Sequence, residues 1–235
     1  MPDQQDGPAE FERLEKGTPE DLLQWCSKRF GSTAALASTF SIEDMVLTDM
    51  ISRVAPSLTI FVVDTGRLPE ETHRLMARTK ERYGMPVKVL FPNAQKVEHM
   101  VSNYGLDVFL KSVDLRMMCC HIRKVEPLEG GLEGLDAWIV GLRQDRRSKE
   151  LEVRKINVDE DHGGMLKISP LAEWTSEMVW DYVRKHAVPY NELLDRGYST
   201  IGCAPCSRAI PPGEDPESGQ WWWEKGAKRV VRRPH

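Results

Sequence analysis

The sequence predicts an α/β fold in which a mostly parallel sheet is covered by helices on both faces. Short apolar runs recur along the chain, segments with helical periodicity separate them, and polar loops follow the first two runs. The runs are residues 34–37, 58–63, 87–91, 138–140 and 166–168. Strands that are apolar throughout and alternate with helices are typical of parallel sheets buried on both sides. Because crossovers are right-handed, the loops after such strands line one edge, where we expect a ligand.

A helical extension is predicted ahead of the first strand. Thr18 and Pro19 are followed by Glu20 and Asp21, which combines an N-cap hydroxyl, a first-turn proline and carboxylates at the positive end of the helix dipole. The stretch after residue 210 is rich in Pro, Gly and acidic residues, and the last residues are basic. The expected division is a helical extension, an α/β domain and a C-terminal loop with a tail, at residues 1–30, 31–210 and 211–235.

Composition excludes several classes of function. The net charge of -4 over 235 residues argues against a nucleic-acid partner, which needs a clustered basic face. No apolar run approaches the length of a membrane-spanning helix, and the polar, acidic N-terminus does not resemble a secretory signal. We therefore expect a cytoplasmic protein, where thiols stay reduced. Five cysteines in that setting indicate metal or redox chemistry rather than disulfides.

Four of the cysteines form the strongest motif. Cys119 and Cys120 are adjacent, and Cys203 and Cys206 form a CxxC pair. Adjacent thiolates point in different directions, which suits a cubane with four separate iron corners better than a single zinc ion. The spacing therefore favours a [4Fe–4S] cluster. Zinc stays open, as does a redox CxxC pair beside two core cysteines.

Two polar loops follow predicted strands. The first has the sequence Ser38-Thr39-Phe40-Ser41 and precedes a helix, where backbone N–H groups and hydroxyls can bind an anion. The second contains Thr65, Gly66 and Arg67. Either loop alone is more often a helix cap or a turn. Both fall at carboxyl ends of strands, which is where a ligand is expected.

These loops and the cysteines together resemble the iron–sulfur branch of the phosphosulfate reductases, the adenylyl-sulfate (APS) reductase family. The resemblance covers nearly the whole chain after about residue 20. Its anchors are the segments STFSIEDMVL, VDTGRLPEETHRL, MMCCHIRKVEPL, DAWIVGLRQD, KISPLAEWT and VPYNELLDRGYSTIGCAPCSRAIPPGEDPESGQWWWE. The resemblance implies an adenine-nucleotide α-hydrolase-like, Rossmann-like fold, and reduction of APS to sulfite and AMP with thioredoxin as electron donor.

The resemblance also implies roles for individual residues. The cluster ligands are expected to be Cys119, Cys120, Cys203 and Cys206. The two loops are expected to hold the adenosine part of APS or AMP, and basic residues to lie between cluster and phosphosulfate. The implied substrate-binding residues are Ser38, Phe40, Ser41, Thr65, Gly66, Arg67, Arg123, Lys124, Gly141 and Arg143. In the family a C-terminal cysteine thiolate attacks the sulfate sulfur.

The chain departs from the family where that cysteine is expected. Val230 stands at the position of the nucleophile, and Cys26, in a predicted helix, is the one cysteine outside the ligand set. The family also usually has basic residues at the places of Glu217 and Gln220, and an arginine near Glu150, for which Arg146 or Arg147 can compensate. Covalent catalysis by the usual route is therefore expected to be lost.

Alternative functions remain at this point. The chain can be a catalytically impaired family member that binds a cluster and an adenine nucleotide. An ATP-using adenylating enzyme would need a glycine-rich loop that STFSIED lacks. Trp221, Trp222 and Trp223 cannot all face one core, so at least one is expected to be exposed or to contact a neighbouring chain, which leaves a homo-oligomer open.

Overall fold

Six strands form one sheet in the order β3-β2-β1-β4-β6-β5. The computed structural model describes residues 8–146 and 152–224. β1 pairs in parallel with β2 and β4, β4 pairs in parallel with β6, and β5 lies antiparallel to β6. The prediction of a mostly parallel sheet is confirmed. The strands are β1 Ala34–Ser38, β2 Thr59–Val63, β3 Val87–Leu90, β4 Ala137–Ile139, β5 Ile156–Asp159 and β6 Met165–Ile168.

Helices alternate with the strands along most of the chain. β4 is buried at every residue and β1 at nearly every residue, which requires cover on both sheet faces. At the start of α2, Thr18 and Asp21 form a reciprocal capping box with Pro19 in the first turn, as the sequence predicted. The helices are α1 Pro8–Glu15, α2 Pro19–Phe30, α3 Ile42–Val54, α4 Glu70–Tyr83, α5 Ala94–Tyr104, α6 Val113–Cys120, α7 Glu126–Leu132 and α8 Ser176–His186.

Contacts divide the chain into two compact units. The sheet unit comprises Met1–Val62, Leu75–Lys88 and Leu132–Tyr190. The cysteine unit comprises Val63–Arg74, Val89–Gly131 and Asn191–His235, and it contains the four cysteines of the motif. The predicted boundaries at residues 30 and 210 stay a prediction. Within the described residues, no helix combines the length and the apolar character needed to cross a bilayer.

Strand β5 is absent from the sequence prediction. It is an edge strand of four residues in which Val158 is 53% exposed. The strand pairs with β6, and it is also held from outside the sheet, because the Glu15 carboxylate accepts hydrogen bonds from the backbone N–H groups of Lys155 and Ile156. Because the strand is short and half-exposed, its sequence contains no apolar run from which a strand would be predicted.

Gly141 lies where the chain after β4 approaches the first turn of α3. A Cβ atom at this position would lie 2.6 Å from Asp44 Oδ1 and 2.8 Å from Glu43 Cβ, both closer than atoms in a folded protein tolerate. Glu43 and Asp44 are themselves buried. The glycine is therefore required by close packing.

We expect Gly141→Ala to destabilise the protein by about 1–3 kcal/mol, because the added methyl group overpacks a buried contact. Gly130→Ala is the matched control, since Gly130 lies in α7 with open space around its Cβ position. The control should be neutral or stabilising by about 0.5–1 kcal/mol, because alanine favours a helix interior. Urea denaturation midpoints measure both effects, and equal midpoints would show that the approach at Gly141 is not tight.

Candidate functional site

The first loop of the sheet unit is shaped by a buried carboxylate. Asp44 Oδ2 accepts hydrogen bonds from Thr39 N at 2.7 Å, Thr39 Oγ1 at 2.8 Å and Ser41 N at 3.3 Å. Ser41 Oγ in return accepts from Asp44 N at 3.1 Å and caps α3. Burial raises the pKa of Asp44, while the bonds from Thr39 and Ser41 oppose that shift. The loop amides are thus already bound to an acidic group of the protein.

Phe40 occupies the centre of this loop in a conformation that is uncommon for a residue with a side chain. Its φ angle is 58°, in the left-handed region, and the ring is buried. Ser38 Oγ supports the turn by accepting a hydrogen bond from Phe40 N at 3.1 Å. Strained backbone of this kind is concentrated at functional sites, where the surroundings hold it in place.

Arg143 is buried beside the same helix start. Its Nε donates to Glu43 Oε1 at 3.0 Å, and its Nη2 lies 2.9 Å from the same oxygen in an ion pair and donates to Ser176 Oγ at 3.1 Å. Nη1 donates to Asp145 Oδ2 at 2.5 Å and to Trp174 O at 3.2 Å. All three nitrogens of the guanidinium are thus engaged with the protein. Arg143 therefore braces the first turn of α3.

The second loop, residues 64–67, belongs to the cysteine unit. Asp64 Oδ1 accepts from Gly66 N at 2.8 Å, and Asp64 Oδ2 lies 2.9 Å from His73 Nε2. Gly66 has a φ of 71°, which glycine adopts at low cost. Thr65 Oγ1 lies 3.2 Å from Cys203 Sγ. Arg67 O accepts from Ala204 N at 2.8 Å, so the loop is tied directly to the CxxC turn.

All four cysteines of the motif come together in the cysteine unit. Cys119 and Cys120 end α6, and Cys203 and Cys206 flank a short turn. They are free thiols that pack in one cluster of buried and half-buried residues. Burial raises the pKa of Cys119 and Cys206, and neighbouring thiols of the set raise it further. The four side chains therefore interact electrostatically with one another.

Cationic side chains surround these thiols. Arg123 and Lys124 lie in a π-helical turn, His121–Val125, that directly follows Cys120. Arg123 is 8% exposed and donates from Nη1 to Thr65 O at 2.8 Å, but its buried Nε has no partner in the part of the chain that the structure describes. Within the same described ranges, Lys124 has no hydrogen bond or ion pair. Donors of both residues are thus left for a ligand.

Arg67, by contrast, is largely engaged with its own unit. Its Nη1 donates to Leu106 O at 2.7 Å, and its guanidinium lies 4.8 Å from the centre of the Phe109 ring. A longer contact of 3.5 Å joins it to Asp107. Arg67 contributes positive charge near Cys119 and Cys206, where it opposes the rise of both thiol pKa values that burial causes.

The tryptophan segment, residues 221–224, packs in the cysteine unit. Trp221 is buried, Trp223 lies 5.5 Å from Phe109 between ring centres, and Trp222 is 46% exposed. The expectation that one tryptophan is exposed is confirmed. Glu224 forms an ion pair with Arg116 at 2.5 Å, and both side chains are nearly fully buried.

Only some of the residues at which the chain departs from the family pattern lie among the described residues. Gln220 forms an antiparallel bridge with Ser207 and its side chain packs on Gly202. Val230, Arg147 and Glu150 lie outside the described residues, and the side chains of Arg146 and Glu217 are not described.

Sequence reasoning located the two groups of residues but missed several that organise them. The sheet unit brings Ser38, Phe40, Ser41, Gly141 and Arg143 to the start of α3, and the cysteine unit brings Thr65, Gly66, Arg67, Arg123 and Lys124 to the four cysteines. Glu43, Asp44 and Asp64 belong to the predicted loops but were given no role, and His73, Arg116 and Glu224 were not singled out. The spacing of Ser41 and Asp44 is a capping-box pattern that signals the role of Asp44. The other pairs are too far apart in sequence to give a signal.

Comparison with known proteins agrees with this arrangement. Residues 33–209 match the phosphoadenosine phosphosulfate reductase domain. The adenosine 5'-phosphosulfate reductase of Allochromatium vinosum is 45% identical over 205 residues, which cover 87% of this chain and 79% of that protein.

Solved structures give the same result for the fold. The phosphoadenylyl-sulfate (PAPS) reductase of Candida auris, solved as a phosphate complex, superposes with a TM-score of 0.72 at 26% identity, over 87% of this chain and 98% of that one. Candida glabrata FMN adenylyltransferase, 13% identical, shares the fold alone, with a TM-score of 0.56 over 88% of this chain and 68% of that one. The predicted adenine-nucleotide α-hydrolase-like fold is confirmed. The match to the family domain covers three quarters of this chain. The chain therefore belongs to the phosphosulfate reductase family.

Proposed function

We propose that the protein reduces APS to sulfite and AMP in assimilatory sulfate reduction, with thioredoxin as electron donor and the cytoplasm as its location. The observation that carries the proposal is the buried, unpartnered Nε of Arg123 beside the four free thiols. Phosphosulfate is dianionic, and an arginine held in place before the ligand arrives stabilises such a group without reorganisation. The name of the Allochromatium relative supports APS as substrate.

A [4Fe–4S] cluster on Cys119, Cys120, Cys203 and Cys206 is part of the proposal. The donor set fits, because four thiols of one unit interact closely and four cationic side chains, Arg67, Arg116, Arg123 and Lys124, offset the charge of the thiolates. Within the described ranges, no group of three or more histidine, cysteine or acidic side chains is arranged to hold a metal ion, so the cluster is proposed from the donor set and the nearby cations rather than from coordination geometry. When bound, the cluster would keep the four thiolates ionised and add a polarisable group beside Arg123 and Lys124.

A separate role is proposed for the residues of each unit. Asp44 already binds the amides of Thr39 and Ser41, so the first loop is unsuited to a phosphate and suits adenosine. Arg123 and Lys124 supply the charge for the phosphosulfate. Arg143 holds the first turn of α3 through Glu43, and its place in the substrate pocket stays a prediction. Gly141 allows the chain after β4 to pack against that turn.

The proposed reaction needs a thiolate that attacks the sulfate sulfur of APS. An S–S bond forms, the bond from that sulfur to the bridging oxygen breaks, and AMP leaves with the electron pair. A dithiol of thioredoxin then supplies two electrons, releases sulfite and becomes a disulfide. Arg123 and Lys124 stabilise the negative charge that grows on the bridging oxygen.

A second candidate function is binding of cluster and nucleotide without turnover. The printed sequence has no cysteine after Cys206, and Cys26 is fully buried in α2. Burial raises the pKa of Cys26 to about 12, so this thiol neither reaches solvent nor ionises near neutral pH. Val230, where the family nucleophile is expected, cannot replace it.

Protein purified without air should be brown and carry about four irons and four sulfides per chain. Cys203→Ser should remove the colour because it deletes one ligand. Cys26→Ala, the control, should keep it, since Cys26 lies in the sheet unit. Iron and acid-labile sulfide assays make the measurement. A colourless chain with one zinc ion would show that the cluster is absent.

Calorimetry on the cluster-loaded protein should show binding of AMP and adenosine, and much weaker binding of inorganic phosphate. Ser38→Ala should weaken AMP binding about two- to tenfold, because Ser38 Oγ supports the loop at Phe40. This factor corresponds to the free energy of one hydrogen bond. Ser52→Ala removes a hydroxyl on a later turn of α3 and should have no effect. Failure of AMP to bind at millimolar concentration would disprove the loop assignment.

Sulfite release from APS with reduced thioredoxin should be slower by several orders of magnitude than in a relative with the C-terminal cysteine, because no nucleophile is available. Loss of cations at Glu217 and Gln220 weakens binding of the dianion further, by about 1.5–3 kcal/mol for each lost contact. Val230→Cys should restore a covalent sulfite adduct, visible by mass spectrometry, whereas Val230→Ser should not. Fast turnover by the unaltered chain would contradict this expectation and identify another thiol donor.

A further inference from the structure

The second loop, residues 64–67, takes its shape from a buried carboxylate. Asp64 is 8% exposed, and its Oδ1 accepts a hydrogen bond from Gly66 N at 2.8 Å. An aspartate that accepts from the backbone two residues ahead closes an Asx turn. Gly66 completes this turn with a φ of 71°. The direction of the peptide groups within the turn therefore depends on where the Asp64 carboxylate is held.

This turn makes a direct polar contact with the guanidinium of Arg123. Arg123 Nη1 donates a hydrogen bond to Thr65 O, inside the turn, at 2.8 Å. The approach is close, because a Cβ atom at Gly66 would lie 3.4 Å from the same nitrogen. The Nε of Arg123 is buried and has no partner among the described residues. The turn is thus the contact that sets the direction of the guanidinium before a ligand binds.

The other oxygen of the Asp64 carboxylate faces a histidine. His73 Nε2 lies 2.9 Å from Asp64 Oδ2. An ionised carboxylate can only accept hydrogen bonds, so the imidazole donates this one. The His73 side chain is 47% exposed, whereas Asp64 is buried. Loss of the donor would leave a buried carboxylate oxygen without this partner, which is costly.

The backbone that carries His73 is fixed by contacts of its own. Thr72 N and His73 N donate to Pro69 O at 3.0 and 3.3 Å, at the start of α4. Thr72 Oγ1 accepts a hydrogen bond from Asn191 Nδ2 at 2.9 Å, and both of these residues are 2% exposed. The position of the imidazole therefore does not depend on Asp64, and His73 can hold the carboxylate in place.

We propose that His73 is a positioning residue for the anionic part of the substrate. It acts through two successive contacts, because it holds the Asp64 carboxylate and the turn that Asp64 closes directs Arg123. The inference rests on the proposed role of Arg123 in binding the phosphosulfate. Without His73 the turn is less well fixed, and Arg123 loses part of the preorganisation that favours an anionic ligand.

Substitutions at two histidines of the cysteine unit separate this role from a general effect on folding. His73→Phe keeps a ring and removes the donor. His73→Gln places an amide donor near the position of Nε2. His73→Ala, which suits a helix, replaces His73→Phe where that variant does not fold. His99→Phe is the matched control, because His99 is exposed on α5 and its ring lies 3.3 Å from Asn103 Nδ2 of the same helix.

Calorimetry on anaerobically purified full-length protein compares AMP with adenosine, which lacks the phosphate. The unaltered chain should bind AMP more tightly than adenosine, because Arg123 acts on the phosphate alone. His73→Phe should weaken AMP binding about two- to tenfold, the range that one hydrogen bond contributes, and leave the affinity for adenosine unchanged. His73→Gln should recover most of this loss, and His99→Phe should bind both ligands as the unaltered chain does.

A double-mutant cycle tests whether His73 acts through Arg123. Arg123→Met should bring the affinity for AMP close to that for adenosine, and adding His73→Phe should then change nothing further. The inference is overturned if His73→Phe has no effect, weakens both ligands equally, or keeps its effect beside Arg123→Met. If the unaltered chain binds AMP no more tightly than adenosine, the role of Arg123 in the proposed function is wrong, and the inference is wrong with it.

Discussion

The arrangement of the cysteine unit depends on the electrostatic cost of placing four thiols close together in a half-buried site. Burial raises the pKa of Cys119, Cys120 and Cys206, and neighbouring thiols of the set raise it further, so ionising these three groups requires positive charge nearby. Arg116, Arg123 and Lys124 supply that charge from the same chain segment as Cys119 and Cys120. The π-helical turn at His121–Val125 explains how this is possible, because its wider turn aims Arg123 and Lys124 differently from a regular helix. A metal group that binds the thiolates would replace their mutual repulsion with coordination.

In the sheet unit, too, buried charged groups are paired within the protein, and there the pairing shapes the first loop. Its first loop contains backbone amides at a helix N-terminus, which normally attract phosphate. Asp44 binds those amides from within the protein, and Glu43 beside it is neutralised by Arg143. The loop is therefore rigid before any ligand binds, and its strained Phe40 is held by contacts that a ligand need not supply. Preorganisation of this type favours recognition of a neutral group by shape and hydrogen bonds over recognition of an anion by charge.

Local sequence patterns predict much of the fold and of the two candidate groups of residues. The contacts that were not predicted mostly join residues far apart in sequence. The parallel strands, the cap at Thr18 and the group of four cysteines follow from residue types and short spacings, which is why sequence reasoning located them. Strand β5 was missed because it is a short, half-exposed edge strand without an apolar run. The Arg116–Glu224 pair was missed because its two residues lie 108 positions apart in sequence. The family resemblance implies that Arg143 lines the substrate pocket, but its pairing with Glu43, a hundred residues away in sequence, is visible only in the structure.

The functional residues fall into two groups with separate physical requirements. Holding a cluster and an adenine nucleotide requires burial, fixed charge and loop geometry, and the described part of the chain has all three. Covalent reduction requires in addition one thiol that is exposed and easily ionised. Cys26 has the opposite properties, since it is fully buried with a pKa of about 12, and the other four thiols are committed to the proposed ligand set. The interactions that hold the loops and the cysteines in place are separate from the thiol that covalent reduction needs, so the first group of requirements can be met whether or not that thiol is present.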